Sequence, residues 1–101
     1  MVNTSSIDGK KFRKALGAFA TGVTVVTTRG ADGEDVGLTA NSFNSVSLDP
    51  PMVLWSLDKK SSNLDAFTHS DHFAVHILSL EQEKVSNQFA KSESDRFAGI
   101  E

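Results

Sequence analysis

The 101-residue chain contains no cysteine, which excludes disulfides, thiolate metal sites and a cysteine nucleophile. No apolar run approaches the roughly 20 residues needed to cross a bilayer. The segment Met1 to Asp8 has neither a basic nor an apolar stretch, so no signal peptide is expected and the cytoplasm is the default location. Basic charge is also scarce: the net charge is −3 and the pI near 5.5, without the clustered basic face that nucleic acid requires. Neither nucleic acid nor a membrane is expected as a partner. A Gly-x-Ser-x-Gly elbow is missing, and Asp32, Glu34 and Asp35 fall in a solvated turn, so no nucleophile-base-acid set stands out. Internal repeats, low-complexity tracts and linkers are absent too.

The composition that remains, 39% apolar and 23% charged, is that of one globular domain over residues 1–101. A chain this short buries only part of its unfolded surface, so a core shared with further strands or a second subunit is expected. Phe12, Ala15, Leu16 and Phe19 recur at helical spacing and predict an amphipathic helix from Lys10 to Ala20, weakened at Gly17 and closed at Gly22. Val23 to Arg29 then changes to a β-branched run. The turn Gly30 to Asp35, with its two glycines, joins it as a hairpin to a strand from Val36 to about Ser42. Met52 to Leu57 is apolar except for Ser56, which predicts a strand buried on both faces with Pro51 at its start. Ser62 to Asp65 and Ser79 to Gln82 both match capping boxes. The first opens a helix reaching His69, and the second one bearing Val85 and Phe89. Between them His72 to Leu78 is strand-like, and the tail from Lys91 to Glu101 is expected to be loosely held.

His72 and His76 would suit a shared zinc ion at helical i, i+4 spacing. On a strand they stand roughly 13 Å apart, so they are expected to be structural. His69, at a helix end, would complement the helix dipole. Asp49 and Asp58 flank the Pro50 to Leu57 segment and read as turn formers as well as site neighbours.

Among the nine residues from Thr39 to Ser47, six are Ser, Thr or Asn and none is charged. Such side chains stabilise turns by bonding to their own backbone. They equally offer hydroxyl and amide groups to a neutral, planar, heteroatom-rich ligand. Further along, Lys60-Ser61-Ser62-Asn63 places a cation and hydroxyls at a helix start, as a phosphate site would, or as a capped surface helix would.

Four segments in this order, Thr21-Gly22-Val23-Thr24-Val25-Val26-Thr27, Gly37-Leu38-Thr39-Ala40-Asn41-Ser42-Phe43-Asn44-Ser45-Val46-Ser47, Pro50-Pro51 with its strand, and Lys60-Ser61-Ser62, resemble the flavin reductase-like family. The likeness runs from about Phe12 to Phe97 and includes the Phe89-Ala90 and Arg96-Phe97 pairs. It implies a mostly β fold with peripheral helices, an antiparallel FMN-binding split β-barrel, usually dimeric. Members are longer, so the chain resembles their N-terminal part, without the later barrel strands and a Gly-Asp-His segment near the nicotinamide.

The same likeness implies an enzyme, an NAD(P)H-dependent oxidoreductase that reduces FMN or FAD and hands reduced flavin to a separate monooxygenase. By resemblance Thr39, Ala40, Asn41 and Ser42 line the ring and ribityl side, and Ser45, Val46 and Ser47 reach the pyrimidine edge. Ser56, Leu57 and Asp58 follow the ribityl chain, and Lys60, Ser61, Ser62 and Asn63 hold the phosphate. The expected co-substrate is NADH or NADPH, and no metal is expected. Two other readings are a non-catalytic flavin-binding or interaction module and a pyridoxamine-phosphate-oxidase-like oxidase. The latter's pyridoxal-phosphate-binding basic residues have no counterpart here.

Overall fold

A computed structural model describes residues 7–18, 21–91 and 96–100. Helix α1 (Gly9–Gly17) starts where the Asp8 carboxylate accepts hydrogen bonds from the backbone N–H groups of Lys10 and Lys11, at 2.9 and 3.4 Å. It ends earlier than the apolar spacing predicts, at the low-propensity Gly17. Residues 19–20 of the predicted helix lie outside the described residues. The apolar stripe is real but uncovered: Phe12 and Leu16 are both more than half exposed.

Strands β1 (Thr24–Arg29) and β2 (Asp35–Ala40) form the predicted hairpin, with Thr24 opposite Ala40 and Arg29 opposite Asp35. The turn between them closes through Gly30 N–H to the Glu34 carbonyl at 2.8 Å, and Gly33 takes the positive φ of 84° that this reversal needs. Strand β5 (Ala74–Ile77) adds antiparallel to the other edge of β1, giving the order β2-β1-β5. The alternation of strands and helices along the chain therefore builds no parallel sheet. Strands β3 (Asn44–Leu48) and β4 (Pro51–Leu54) form a separate antiparallel ribbon around the Asp49-Pro50 turn, with a bulge between Ser45 and Ser47.

The three-stranded sheet is covered on both faces. On one, Val26, Leu38 and Ala40, with Val75 of β5 beside them, are buried under Trp55, Leu57 and Phe67, and Trp55 meets Phe67 edge-on at 5.0 Å. Phe67 comes from helix α2 (Leu64–His69). On the other face lies helix α3 (Glu83–Ala90), preceded by a 3-10 turn at Leu80–Gln82. The predicted capping box forms there, with the Ser79 N–H donating to Gln82 Oε1 at 2.9 Å. From α3, Phe89 reaches the sheet over Gly37 and is 2% exposed. A Cβ on Gly37 would sit 2.8 Å from the Phe89 ring and 3.1 Å from Phe97, so the strand admits the two rings only because that residue has no side chain.

Several expectations need correction. Met52 to Leu57 is not a strand buried on both faces: β4 stops at Leu54 and all of Pro51 to Leu54 is exposed, because the two-stranded ribbon has no layer over it among the described residues. Only Trp55 and Leu57, beyond the strand, pack on the core. The capping box at Ser62 to Asp65 does not form. Helix α2 begins one residue later than a Ser62 cap would give, with Asn63 as a cap that makes no side-chain bond. The tail is docked at Arg96 and Phe97. Phe97 stands edge-on to Phe89 at 5.0 Å, and Arg96 donates from Nη1 to the Gly37 carbonyl at 2.8 Å and from Nε to the Lys91 carbonyl at 2.7 Å. Residues 92–95 and 101 of that tail lie outside the described residues. The architecture is two antiparallel sheets with peripheral helices, and among the described residues they close no barrel.

Candidate functional site

The polar stretch begins where β2 leaves the sheet. Thr39 faces away from the Leu38 and Ala40 side, and its hydroxyl donates to the Ser86 carbonyl of α3 at 2.6 Å. Ala40 is buried, and its carbonyl accepts a 2.7 Å bond from the Thr24 hydroxyl. Both residues therefore anchor the strand end, where the chain leaves the sheet. Asn41 and Ser42 are exposed. Ser42 Oγ accepts a 2.9 Å bond from the backbone N–H of Ser56, which ties the end of β2 to the segment that follows β4.

The ribbon carries the next predicted residues. Ser45, Val46 and Ser47 lie on β3, with Val46 exposed beside the bulge, and the Ser45 N–H is taken by Asn44 Oδ1 at 2.9 Å. A bulge interrupts the ladder and re-aims side chains. The strand expected from Val36 to about Ser42 ends at Ala40. The stretch is two strands, β2 and β3, joined by a bend at Asn41.

After Ser56 and the half-buried Leu57 the backbone folds into a tight turn. Asp58 builds it, its carboxylate accepting from Lys60 N–H and its carbonyl from Ser61 N–H, both at 2.9 Å. Ser61 Oγ then accepts from Asn63 N–H at 3.2 Å. Asp58 thus acts as the turn former that its side chain allows, and so does the Asp49-Pro50 pair. Lys60, Ser61, Ser62 and Asn63 line an open groove of about 650 Å³ whose opposite wall is Glu34 to Gly37 of β2 and the hairpin, together with Arg96 and Phe97. Of these, Arg96 is the residue that sequence reasoning assigned no role, because only the docked tail brings it to this wall.

A larger depression of about 1650 Å³ lies elsewhere, around the hairpin, α2 and the underside of α3, and it includes only Ser62 and Asn63 of the predicted residues. The histidines border it. His76 is on β5, 3.0 Å from Thr27 Oγ1, and His72 precedes the strand with its carbonyl accepting from Thr28. His69, in the last turn of α2, holds the Asp65 carbonyl through Nδ1 at 2.9 Å. Among the described residues no three His, Asp or Glu side chains cluster as metal ligands.

A small antiparallel β scaffold thus carries two polar segments joined by the Ser56–Ser42 bond. The profile of the family described as "Flavin reductase like domain" matches residues 16–101, and the chain belongs to that family. It is 55% identical over 91 residues to the reductase component of a flavin-dependent trigonelline monooxygenase from Acinetobacter baylyi, covering 90% of this chain and 29% of that protein. It is 53% identical over 85 residues to the FMN reductase (NADH) SmoA of Agrobacterium fabrum, covering 84% of this chain and 48% of the relative. The structure superposes with a TM-score of 0.86 on the NADH:FAD oxidoreductase SgcE6 of Streptomyces globisporus in complex with NAD and FAD fragments, at 40% identity, over 100% of this chain and 59% of that one. The chain therefore spans between about a third and somewhat over half of these relatives.

Proposed function

We propose that this chain is part of an NAD(P)H-dependent reductase of FMN or FAD that supplies reduced flavin to a separate monooxygenase. The observation that carries the reading is the 2.9 Å bond from Ser56 N–H to Ser42 Oγ. It brings together the Thr39 to Ser47 and Ser56 to Asn63 segments, the two stretches assigned to opposite ends of one flavin. Relatives named as FMN reductase (NADH) and as a monooxygenase reductase component support it.

In this reading the exposed groups of Asn41, Ser42, Ser45, Val46 and Ser47 meet the ring system. Thr39 and Ala40 contribute by fixing the strand end, since the Thr39 hydroxyl is engaged by α3 and Ala40 is buried. Ser56, Leu57 and Asp58 follow the ribityl chain, and Lys60, Ser61, Ser62 and Asn63 hold the phosphate. The residues fit the group chemically: uncharged donors suit the heteroatom-rich ring, and a lysine with two serines suits a phosphate. When bound, the flavin supplies the hydride-accepting chemistry. The chain's own task is then to bind and orient the cofactor, and a protein acid-base dyad is not required. The exposed apolar ribbon β3–β4 is the edge at which further strands complete a split barrel and a second subunit packs. A cytoplasmic location goes with this role.

The test is flavin binding by the purified, chelator-treated protein, read by absorbance and fluorescence, with NADH consumption followed at saturating FMN. Retained flavin binding is expected. Loss of binding on chelation, restored by zinc, would overturn the reading. The exposure of the ribbon favours one second reading, a flavin-binding module without turnover for the 101-residue chain taken alone. Flavin binding without NADH oxidation selects it, and turnover matching a full-length relative from a monomer removes it together with the barrel-completion proposal.

A further inference from the structure

The two segments of the candidate site are pinned to one core. On the first, Ala40 belongs to the buried cluster of Val26, Leu38 and Ala40, and its carbonyl is held by the Thr24 hydroxyl at 2.7 Å, just ahead of Ser42. On the second, Trp55 packs on the same cluster immediately before Ser56, and Leu57 does so immediately after it. Ser56 itself is exposed between these half-buried neighbours, and its N–H donates to Ser42 Oγ at 2.9 Å. That N–H lies in the rigid peptide plane shared with Trp55, so the placement of Trp55 decides where it points.

Trp55 differs from Leu57 in what else it touches. Its ring meets Phe67 of α2 edge-on at 5.0 Å and Phe73, the residue before β5, edge-on at 5.7 Å. Aromatic pairs at these separations favour this geometry beyond the apolar area they bury. Helix α2 begins at Leu64, directly after the Lys60 to Asn63 turn, and the Phe67 N–H donates to the Asn63 carbonyl at 3.3 Å. The contact between Trp55 and Phe67 therefore closes the loop that runs from Ser56 to Asn63, with the ring adjoining its first residue and holding the helix that follows its last. Phe73 ties this closure to the β5 edge of the sheet.

We propose, on the reading that the Thr39 to Ser47 and Ser56 to Asn63 segments hold the flavin, that Trp55 is a positioning residue for it. The ring closes the second segment into a loop and aims Ser56 N–H at Ser42 Oγ, which sets the separation of the two segments. Trp55 acts on ligand affinity through that bond and not by touching the ligand.

The experiment is a double-variant cycle read by fluorescence titration of riboflavin, a flavin without a phosphate, with the purified protein and its variants. W55L is expected to weaken riboflavin binding about tenfold through loss of the two edge-on contacts, and W55F, which keeps a ring, to recover most of it. Because W55L and S42A break the same bond, the W55L/S42A protein should lose less than the product of the two single losses, by about threefold or more. F73L reaches the ring from its other side, should weaken riboflavin about threefold, and supplies a second cycle with S42A that carries the test if W55L fails to fold. F89L loosens packing on the opposite face of the sheet and should leave riboflavin affinity unchanged. Losses that multiply in the W55L/S42A cycle, or in the F73L/S42A cycle where W55L does not fold, overturn the role of Trp55 and leave the flavin reading standing. So does an affinity unmoved by W55L, or an equal loss in F89L. Absence of flavin binding by the unsubstituted protein overturns both.

Discussion

The two sheets are built from similarly apolar strands and end in opposite environments. In β1 the residues Thr24, Val25 and Val26 are at most 3% exposed, whereas Met52, Val53 and Leu54 of β4 are each about half exposed. The difference is architectural: β1 is the central strand of three, with α3 on one face and Trp55, Leu57 and Phe67 on the other. β4 has one hydrogen-bonded neighbour and no layer above it among the described residues. Apolar sequence sets the demand for burial, and strand order decides whether it is met within the chain. The three-stranded sheet therefore carries the stability of this chain, while the ribbon and the turn after it carry the polar groups of the candidate site.

The sharpest way to break this contrast is Phe89→Ala. The ring fills the slot over Gly37 and is almost fully buried, so its loss should cost about 3–5 kcal/mol of folding stability, measured by urea unfolding. A loss below about 1 kcal/mol would show that α3 does not secure the sheet.

Lys60→Ala and Ser61→Ala test the other half. Each should weaken FMN binding by about 1.5–3 kcal/mol and spare riboflavin, with the urea midpoint nearly unchanged. Equal weakening of both ligands would put the phosphate elsewhere. A smaller loss is expected from Thr24→Val, which removes the buried 2.7 Å bond to the Ala40 carbonyl and should lower stability by about 1–2 kcal/mol. The smallest should come from Leu48→Lys on the ribbon. Leu48 is 94% exposed, so stability should move by less than about 0.5 kcal/mol. Self-association on size-exclusion chromatography should drop, since the change adds charge to an exposed apolar edge. A large loss of stability there would mean that the ribbon is covered in solution.

Much of the fold was legible along the chain because local chemistry and tertiary contacts agreed. The β-branched run of β1, the Gly30 to Gly33 turn and the Ser79–Gln82 box all specify their structures through bonds made within a few residues. The misses have non-local causes. The side chains of Met52 to Leu54 predict burial, and no local pattern reveals that among the described residues the ribbon has two strands. The box expected at Ser62 lost to the Asp58 turn, which takes the Lys60 and Ser61 N–H groups and delays the helix to Leu64.

The candidate site was legible as chemistry more than as geometry. Its hydroxyl-rich segments were evident, yet the engagement of Thr39 by Ser86 depends on α3, 47 residues away along the chain. The place of Arg96 depends on a tail that its own sequence describes as loose. It is the pairing of Phe97 with Phe89 over a glycine that docks it.

The bond from Ser56 N–H to Ser42 Oγ does more than tie two segments together. A hydroxyl that accepts from a fixed backbone amide cannot aim its own proton back along that line, so the hydrogen of Ser42 must rotate to another direction. A main-chain group thereby biases the polarity of an exposed side chain, turning an atom that could serve as donor or acceptor into one offered first as a donor. Any planar ligand laid against Ser42 is then sorted by where its lone pairs lie, before a charged residue takes part.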